Sequence, residues 1–222
     1  MKIYQKFVNY LIPARHLIPR KPFYEEVLEI PNLKADLISL TSRGDFYERE
    51  YGVTFNSQKA IILKKTGNSH SISLSLKEYF DLWKQSKKER ISFFHNHPSG
   101  SSLSSGDLNV AARLGFSDIV ALTTKQKGYS LTFPEGLNLL DKIRIELATR
   151  VSRCKVLGRF AKNCVYPAIK ARFSKEGQTK ELQENLLSIV KDLENKMEIG
   201  LQEKLENKFM CKYREFHFDD YK

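Results

Sequence analysis

The chain has 222 residues, room for one good-sized domain with an extension or for two small domains. Hydrophobic residues make up 41% and charged residues 28%, which excludes a disordered composition and supplies a core. The formal charge is +11 with a pI near 9.5, and no apolar run approaches the roughly 18 residues of a membrane span. Such a charge favours acidic partners, nucleic acid or an anionic surface, although the basic residues are spread out, at Lys64-Lys65, Lys87-Lys88 and from Arg150 to Lys162. Pro13, Pro19 and Pro22 interrupt the first 22 residues and leave no apolar segment of a secretory signal. The odd set Cys154, Cys164 and Cys211 argues against a disulfide framework and suits a reducing compartment, so a cytoplasmic location is expected.

Residues 1–30 give no clear pattern and no assigned role. Leu33, Leu37, Ile38 and Leu40 lie near helical spacing, with Gly44 as the expected stop. Tyr51 to Phe55 and Ala60 to Leu63 read as two strands of a hairpin around Asn56-Ser57. Ile72, Leu74 and Leu76 alternate with polar residues, a strand signal. Ser75 and Glu78 have capping-box spacing, and Leu76, Tyr79, Phe80 and Trp83 continue as a helix to about Lys88. Ile91 to Phe94 is a short strand running into His95. Leu108, Ala111, Ala112 and Gly115 share one helical face, and Asp118 to Thr123 and Tyr129 to Phe133 read as further strands. Residues 31–135 thus form an α/β domain with a sheet built largely from hairpins. From residue 136 to 222 the pattern is helical. Leu140, Ile143, Leu147, Val151 and Cys154 make one stripe; Leu182, Leu186, Val190, Leu193, Met197 and Leu201 make another, with Pro167 and Gly177 between them. The second stripe resembles a short coiled-coil seam suited to a homodimer, or else a helix packed on its own domain.

Chemistry concentrates in Phe94-His95-Asn96-His97-Pro98-Ser99-Gly100, followed by Ser104-Ser105-Gly106-Asp107. Two of the five histidines stand here. At the end of a strand, residues i and i+2 point to the same side, so both imidazoles can aim at one point. Pro98 has no N–H for the ladder and ends the strand. Asp107 falls in the first turn of the next helix and can turn back toward the histidines. Two neutral imidazoles and a carboxylate form a usual catalytic zinc shell, with the fourth position left for water. Ser104 and Asp107 also read as a plain helix capping box, which accounts for that pair without any metal but not for His95 and His97.

These residues resemble the JAMM (MPN+) metalloprotease family, whose pattern is H-x-H, a spacer and S-x-x-D; the HNHPSG string is most like its RadC-like branch in bacteria, phages and mobile elements. The resemblance spans roughly residues 33–135. It implies a JAB/MPN-like, cytidine-deaminase-like mixed sheet with flanking helices, to which the helical extension would be added. It implies Zn2+ held by His95, His97 and Asp107, and Ser104 stabilising the oxyanion or orienting the water. It also implies a glutamate base just before the first strand, for which Glu50, in Glu50-Tyr51-Gly52-Val53, fits best and Glu48 is the runner-up. The family spacer before the serine is usually about seven residues, whereas six, Pro98 to Leu103, stand here.

The activity so implied is hydrolysis of a peptide or isopeptide bond, for instance at the C-terminus of a ubiquitin-like modifier or an analogous tag. Two rivals remain: a RadC-like nucleic-acid-associated protein, favoured by the charge, and a phage or mobile-element assembly protein that uses the fold as a scaffold. An HNH nuclease is discounted, because Asn96 points away from the face that His95 and His97 share.

Overall fold

The computed structural model describes residues 17–69, 71–98, 100–123, 126–138, 141–145, 205–207 and 209–221. Its elements are α1 (Phe23–Leu28), α2 (Pro31–Tyr47), β1 (Tyr51–Asn56), β2 (Ile61–Thr66), α3 (Leu76–Ser86), β3 (Ile91–Asn96), α4 (Ser105–Leu114), β4 (Asp118–Leu122), β5 (Lys127–Thr132) and β6 (Lys212–His217). The six strands form one open mixed sheet in the order β2-β1-β3-β4-β5-β6. Only β3 and β4 run parallel; the other neighbours are antiparallel. Helices cover both faces. Alternation along β3 sends Ile91 and Phe93 to one side, where Leu82 of α3 and Leu108, Ala111, Ala112 and Leu114 of α4 complete a core. Phe94 goes to the other side, with Val53 and Phe55 of β1, Val120 and Leu122 of β4, and Phe23, Tyr24, Val27, Leu28 and Leu37 of α1 and α2. Among the described residues, no helix is long and apolar enough to cross a membrane.

Local chemistry sets the boundaries. The hairpin between β1 and β2 closes on Asn56, whose Oδ1 accepts from the backbone N–H groups of Gln58 and Ala60 at 3.2 and 2.9 Å. α3 and α4 both start on complete capping boxes, Ser75 with Glu78 and Ser104 with Asp107. α4 ends at Gly115, whose φ of +78° is the left-handed conformation that suits glycine.

Four expectations change. Gly44 is not a helix stop: α2 runs on to Tyr47 and ends at Glu48 in the left-handed region (φ 49°, ψ 42°). Glycine is needed at 44 because a Cβ there would overlap the Asn96 amide. Ile72 and Leu74 are not in a strand; the segment before α3 has no ladder partner among the described residues, and its period of two reflects half-buried Ile72 and Leu74 alternating with exposed Ser71, Ser73 and Ser75. The last residues are not helical throughout: Lys212–His217 pair with β5 along its whole length. Phe216 lies across Gly128 of β5, filling the space of a missing side chain, and an alternating Tyr213/Phe216 pattern contributes to both cores. Nor does the folded part begin at residue 31, since α1 is almost wholly buried in the second core. Residues 1–16, the Leu140 to Cys154 stripe apart from Ile143, and the whole 182–201 stripe, with the dimer expected from it, lie outside the described residues.

Candidate metal centre

The site forms where β3 ends. His95 is the fifth residue of β3 and follows Phe93 onto the α3/α4 face; its ring is 1% exposed and lies flat on the Phe93 ring, centroids 5.2 Å apart at 11°. Phe93 can lie there because Gly52 stands beside it on β1: a Cβ at Gly52 would come within 2.7 Å of the Phe93 ring. His97 lies just beyond the strand, and its N–H continues the parallel pairing by donating to the Leu122 carbonyl at 2.8 Å. It is 6% exposed, and its ring meets that of His95 edge-on.

α4 supplies the third group. Its parallel β3-α4-β4 connection returns the first turn of the helix to the carboxyl end of β3, where α/β sheets commonly bind ligands. Asp107 Oδ1 lies 3.3 Å from His95 Nε2 and Oδ2 lies 3.5 Å from His97 Nε2, while the two Nε2 atoms are 2.9 Å apart. One ligand atom from each residue falls within 4.8 Å of the others, so His95, His97 and Asp107 could hold a metal ion.

The surroundings fix these rings. His97 Nδ1 lies 3.0 Å from the Ser101 carbonyl oxygen, which accepts its proton and leaves the Nε2 lone pair facing the cluster. His95 Nδ1 is buried with no hydrogen-bond partner among the described residues, so the Phe93 ring rather than an acceptor orients His95. Burial would raise the Asp107 carboxyl, yet His95 and His97, through charge and hydrogen bonds, hold it well below the usual carboxylate range. Burial would lower His97, but the Asp107 carboxylate, the Ser101 carbonyl and the Glu50 charge together push it up.

Glu50 is part of the same site. The β1–β3 register sets Gly52 opposite His95, and the same register carried two residues further on each side brings Glu50 opposite His97. Glu50 is 8% exposed and lines a cavity of about 570 Å³ with His95, His97, Ser104 and Asp107. Ile72, Leu74, Tyr79, Phe93, Val110 and Phe116 form its apolar wall. Glu48 is elsewhere: its left-handed backbone ends α2, its side chain is exposed, and it does not line the cavity. Sharing a face with Glu50 would have needed an extended backbone.

Ser104 has both roles open to it. Its Oγ accepts from the Asp107 N–H at 3.2 Å, as a capping box requires, and its own hydroxyl proton stays available to donate into the cavity that it lines. Asp107 is likewise both cap and cluster member, because Oδ2 accepts from the Ser104 N–H at 2.7 Å.

Three contributors are not visible from the motif: Phe93 beneath His95, the Ser101 carbonyl on His97, and Asn96, whose partners lie 45 and 47 residues away. The H-x-H alternation shows that Asn96 turns to the other face, but nothing in the sequence names what it meets there. Family models, curated proteins and solved structures all yield no match to this chain.

Proposed function

We propose that this protein is a zinc-dependent hydrolase of the JAMM type that cleaves a peptide or isopeptide bond. The observation that carries the reading is the convergence of His95, His97 and Asp107 in a cavity that also contains the buried Glu50. The donor set suits zinc. Ligands about 2.0–2.2 Å from a tetrahedral zinc lie roughly 3.4 Å from one another; the separations here are 2.9, 3.3 and 3.5 Å. The depressed Asp107 carboxyl is the ionised ligand that a cation needs, and the bond from His97 Nδ1 to the Ser101 carbonyl turns Nε2 toward the cluster.

A zinc ion bound there would acidify water and polarise the scissile carbonyl. The chain's own groups do the rest. Glu50, across the cavity from the ligands, takes a proton from the attacking water and returns it to the departing amine. Ser104 donates its hydroxyl proton toward the oxygen on which negative charge grows. The apolar wall from Ile72 to Phe116 excludes water and receives a non-polar part of the substrate.

The test is Glu50→Gln, assayed on a peptide library with zinc content measured alongside. Loss of kcat by about 10²–10⁴-fold with zinc retained is expected. A fully active, zinc-loaded Glu50→Gln protein removes Glu50 from the mechanism, and a wild type that binds zinc but cleaves no amide overturns the hydrolase reading.

A further inference from the structure

We propose that Asn96 is the positioning residue for Glu50, its amide holding the backbone on either side of Glu50 so that the carboxylate faces the metal centre. This inference rests on the hydrolase reading for what Glu50 does, and on geometry for where Glu50 points.

β3 ends at Asn96: the His97 N–H, on the β4 side of the strand, donates to the Leu122 carbonyl, and Pro98 beyond it has no N–H to offer β1. The residues just before β1 therefore lose the backbone partner that a longer β3 would give them. The Asn96 side chain replaces it. Its Oδ1 accepts from the Tyr51 N–H at 2.6 Å, and its Nδ2 donates to the Arg49 carbonyl at 3.1 Å. One amide thus satisfies a donor and an acceptor that flank Glu50, as a further rung of the ladder would. On the opposite side of the chain, the Glu50 N–H donates to the Asn68 carbonyl at 2.8 Å and the Gly67 N–H donates to the Glu50 carbonyl at 2.7 Å. Held from both sides, the residue has its backbone polar groups in the sheet plane, and its side chain must leave the plane. Alternation directs it to the Gly52 and His95 face, which is the face of the cavity.

The amide has no freedom to turn away. Asn96 is 1% exposed, and α2 passes so close that only glycine fits at position 44. The turn from α2 into β1, with Arg49 N–H donating to the Gly44 carbonyl at 3.0 Å, closes around the same amide. Asn96 therefore acts through Glu50 from the far face of the sheet and touches neither substrate nor metal. Asparagine suits this place because a single planar group must both accept and donate; Asp lacks the donor, Ser the reach and Leu both functions.

The experiment uses the full chain loaded with cobalt(II), whose absorption bands report the groups around the metal, in wild type, Glu50→Gln, Asn96→Ala and the double variant. Glu50→Gln is expected to shift the bands, Asn96→Ala to reproduce that shift, and the double variant to add nothing. With zinc and a cleavable amide, Asn96→Ala should lower kcat by about 10–100-fold, the scale of a misplacement near 1 Å, with KM and zinc content nearly unchanged and no further loss in the Glu50→Gln background. Wild-type bands in Asn96→Ala, an unmoved spectrum in Glu50→Gln, or multiplying rate losses would each overturn the proposal. If Asn96→Ala does not fold, Asn96→Asp carries the test, since it keeps the acceptor for Tyr51 and loses the donor to Arg49; a spectrum moved part of the way supports the role, and an unmoved one refutes it. Matching spectral shifts in a protein that cleaves no amide would end the hydrolase reading and leave the placement of Glu50 by Asn96 standing.

Discussion

Ser104 and Asp107 hold each other's backbone: the Ser104 N–H donates to Asp107 Oδ2 at 2.7 Å, and the Asp107 N–H donates to Ser104 Oγ at 3.2 Å. The same carboxylate faces both histidines. The start of a helix and the candidate metal centre thus share one group, so a capping signal and a ligand signal fall on the same residues.

That sharing separates two variants. Ser104→Ala should cost about 1 kcal/mol of stability, as loss of an N-cap does, whereas Ser104→Gly should cost only a few tenths. Both remove the hydroxyl and should lower kcat by about 10²–10³-fold if it donates to the developing oxyanion. Urea denaturation and steady-state kinetics on the pair check this; an active Ser104→Gly enzyme would leave the serine as a cap alone.

Metal loading follows from the ligand set. Protein purified without chelator should carry about one zinc per chain, and His97→Ala should carry little. Protons compete for His97, whose affinity for them is raised. Zinc affinity should therefore fall on acidification through the ordinary histidine range near about 6.5, as protons take the ligand positions. Mass spectrometry of protein equilibrated across that range gives the answer.

A second pH dependence is remote from the cavity. Asp118 is wholly buried and accepts from the Phe23 N–H at 3.3 and 3.2 Å and from Thr132 Oγ1 at 2.7 Å. Burial pushes its carboxyl up to about 7, against the pull of Thr132, Arg90, Phe23 and Arg20. The folded state then holds a proton that the unfolded chain, at about 3.9, has released. The contribution is full below that lower value and is lost as pH rises through about 7. Urea midpoints should fall across this window in the wild type and less so in Asp118→Asn; equal slopes would show that Asp118 does not carry the effect.

Substrate choice should follow the apolar wall. Val110 lines the cavity yet is 40% exposed, so Val110→Asp should change stability little. It should raise KM by about 10-fold for peptides with a bulky apolar residue beside the scissile bond and leave glycine-flanked peptides nearly unaffected. Competition assays with matched peptides distinguish these; equal effects on both would place the apolar group elsewhere.

How much of this can be read in the sequence varies by element. His95 and His97 converge as alternation predicts, because a strand's side-chain period is fixed by its backbone. The capping boxes of α3 and α4 are legible for a similar reason: their partners are three residues apart. Glu50 could be separated from Glu48 only once the left-handed turn at Glu48 was seen. Ile72 and Leu74 mislead because alternating burial needs a surface to face, not a ladder to join. β6 is hidden because Lys212–His217 is a mostly polar edge strand whose pairing with β5 spans more than 80 residues. The Asn96 contacts with Arg49 and Tyr51 are illegible for the same reason, distance along the chain.

β6 makes the far end of the sequence part of the sheet. Ile145 and Leu205, on either side of residues 146–204, are both fully buried in the core cluster that lies beneath α3 and α4. Leu205 and β6 therefore belong to the same folded body as β1 to β5, and cutting the chain ahead of Lys212 would remove an edge strand and, with it, Phe216 from over Gly128.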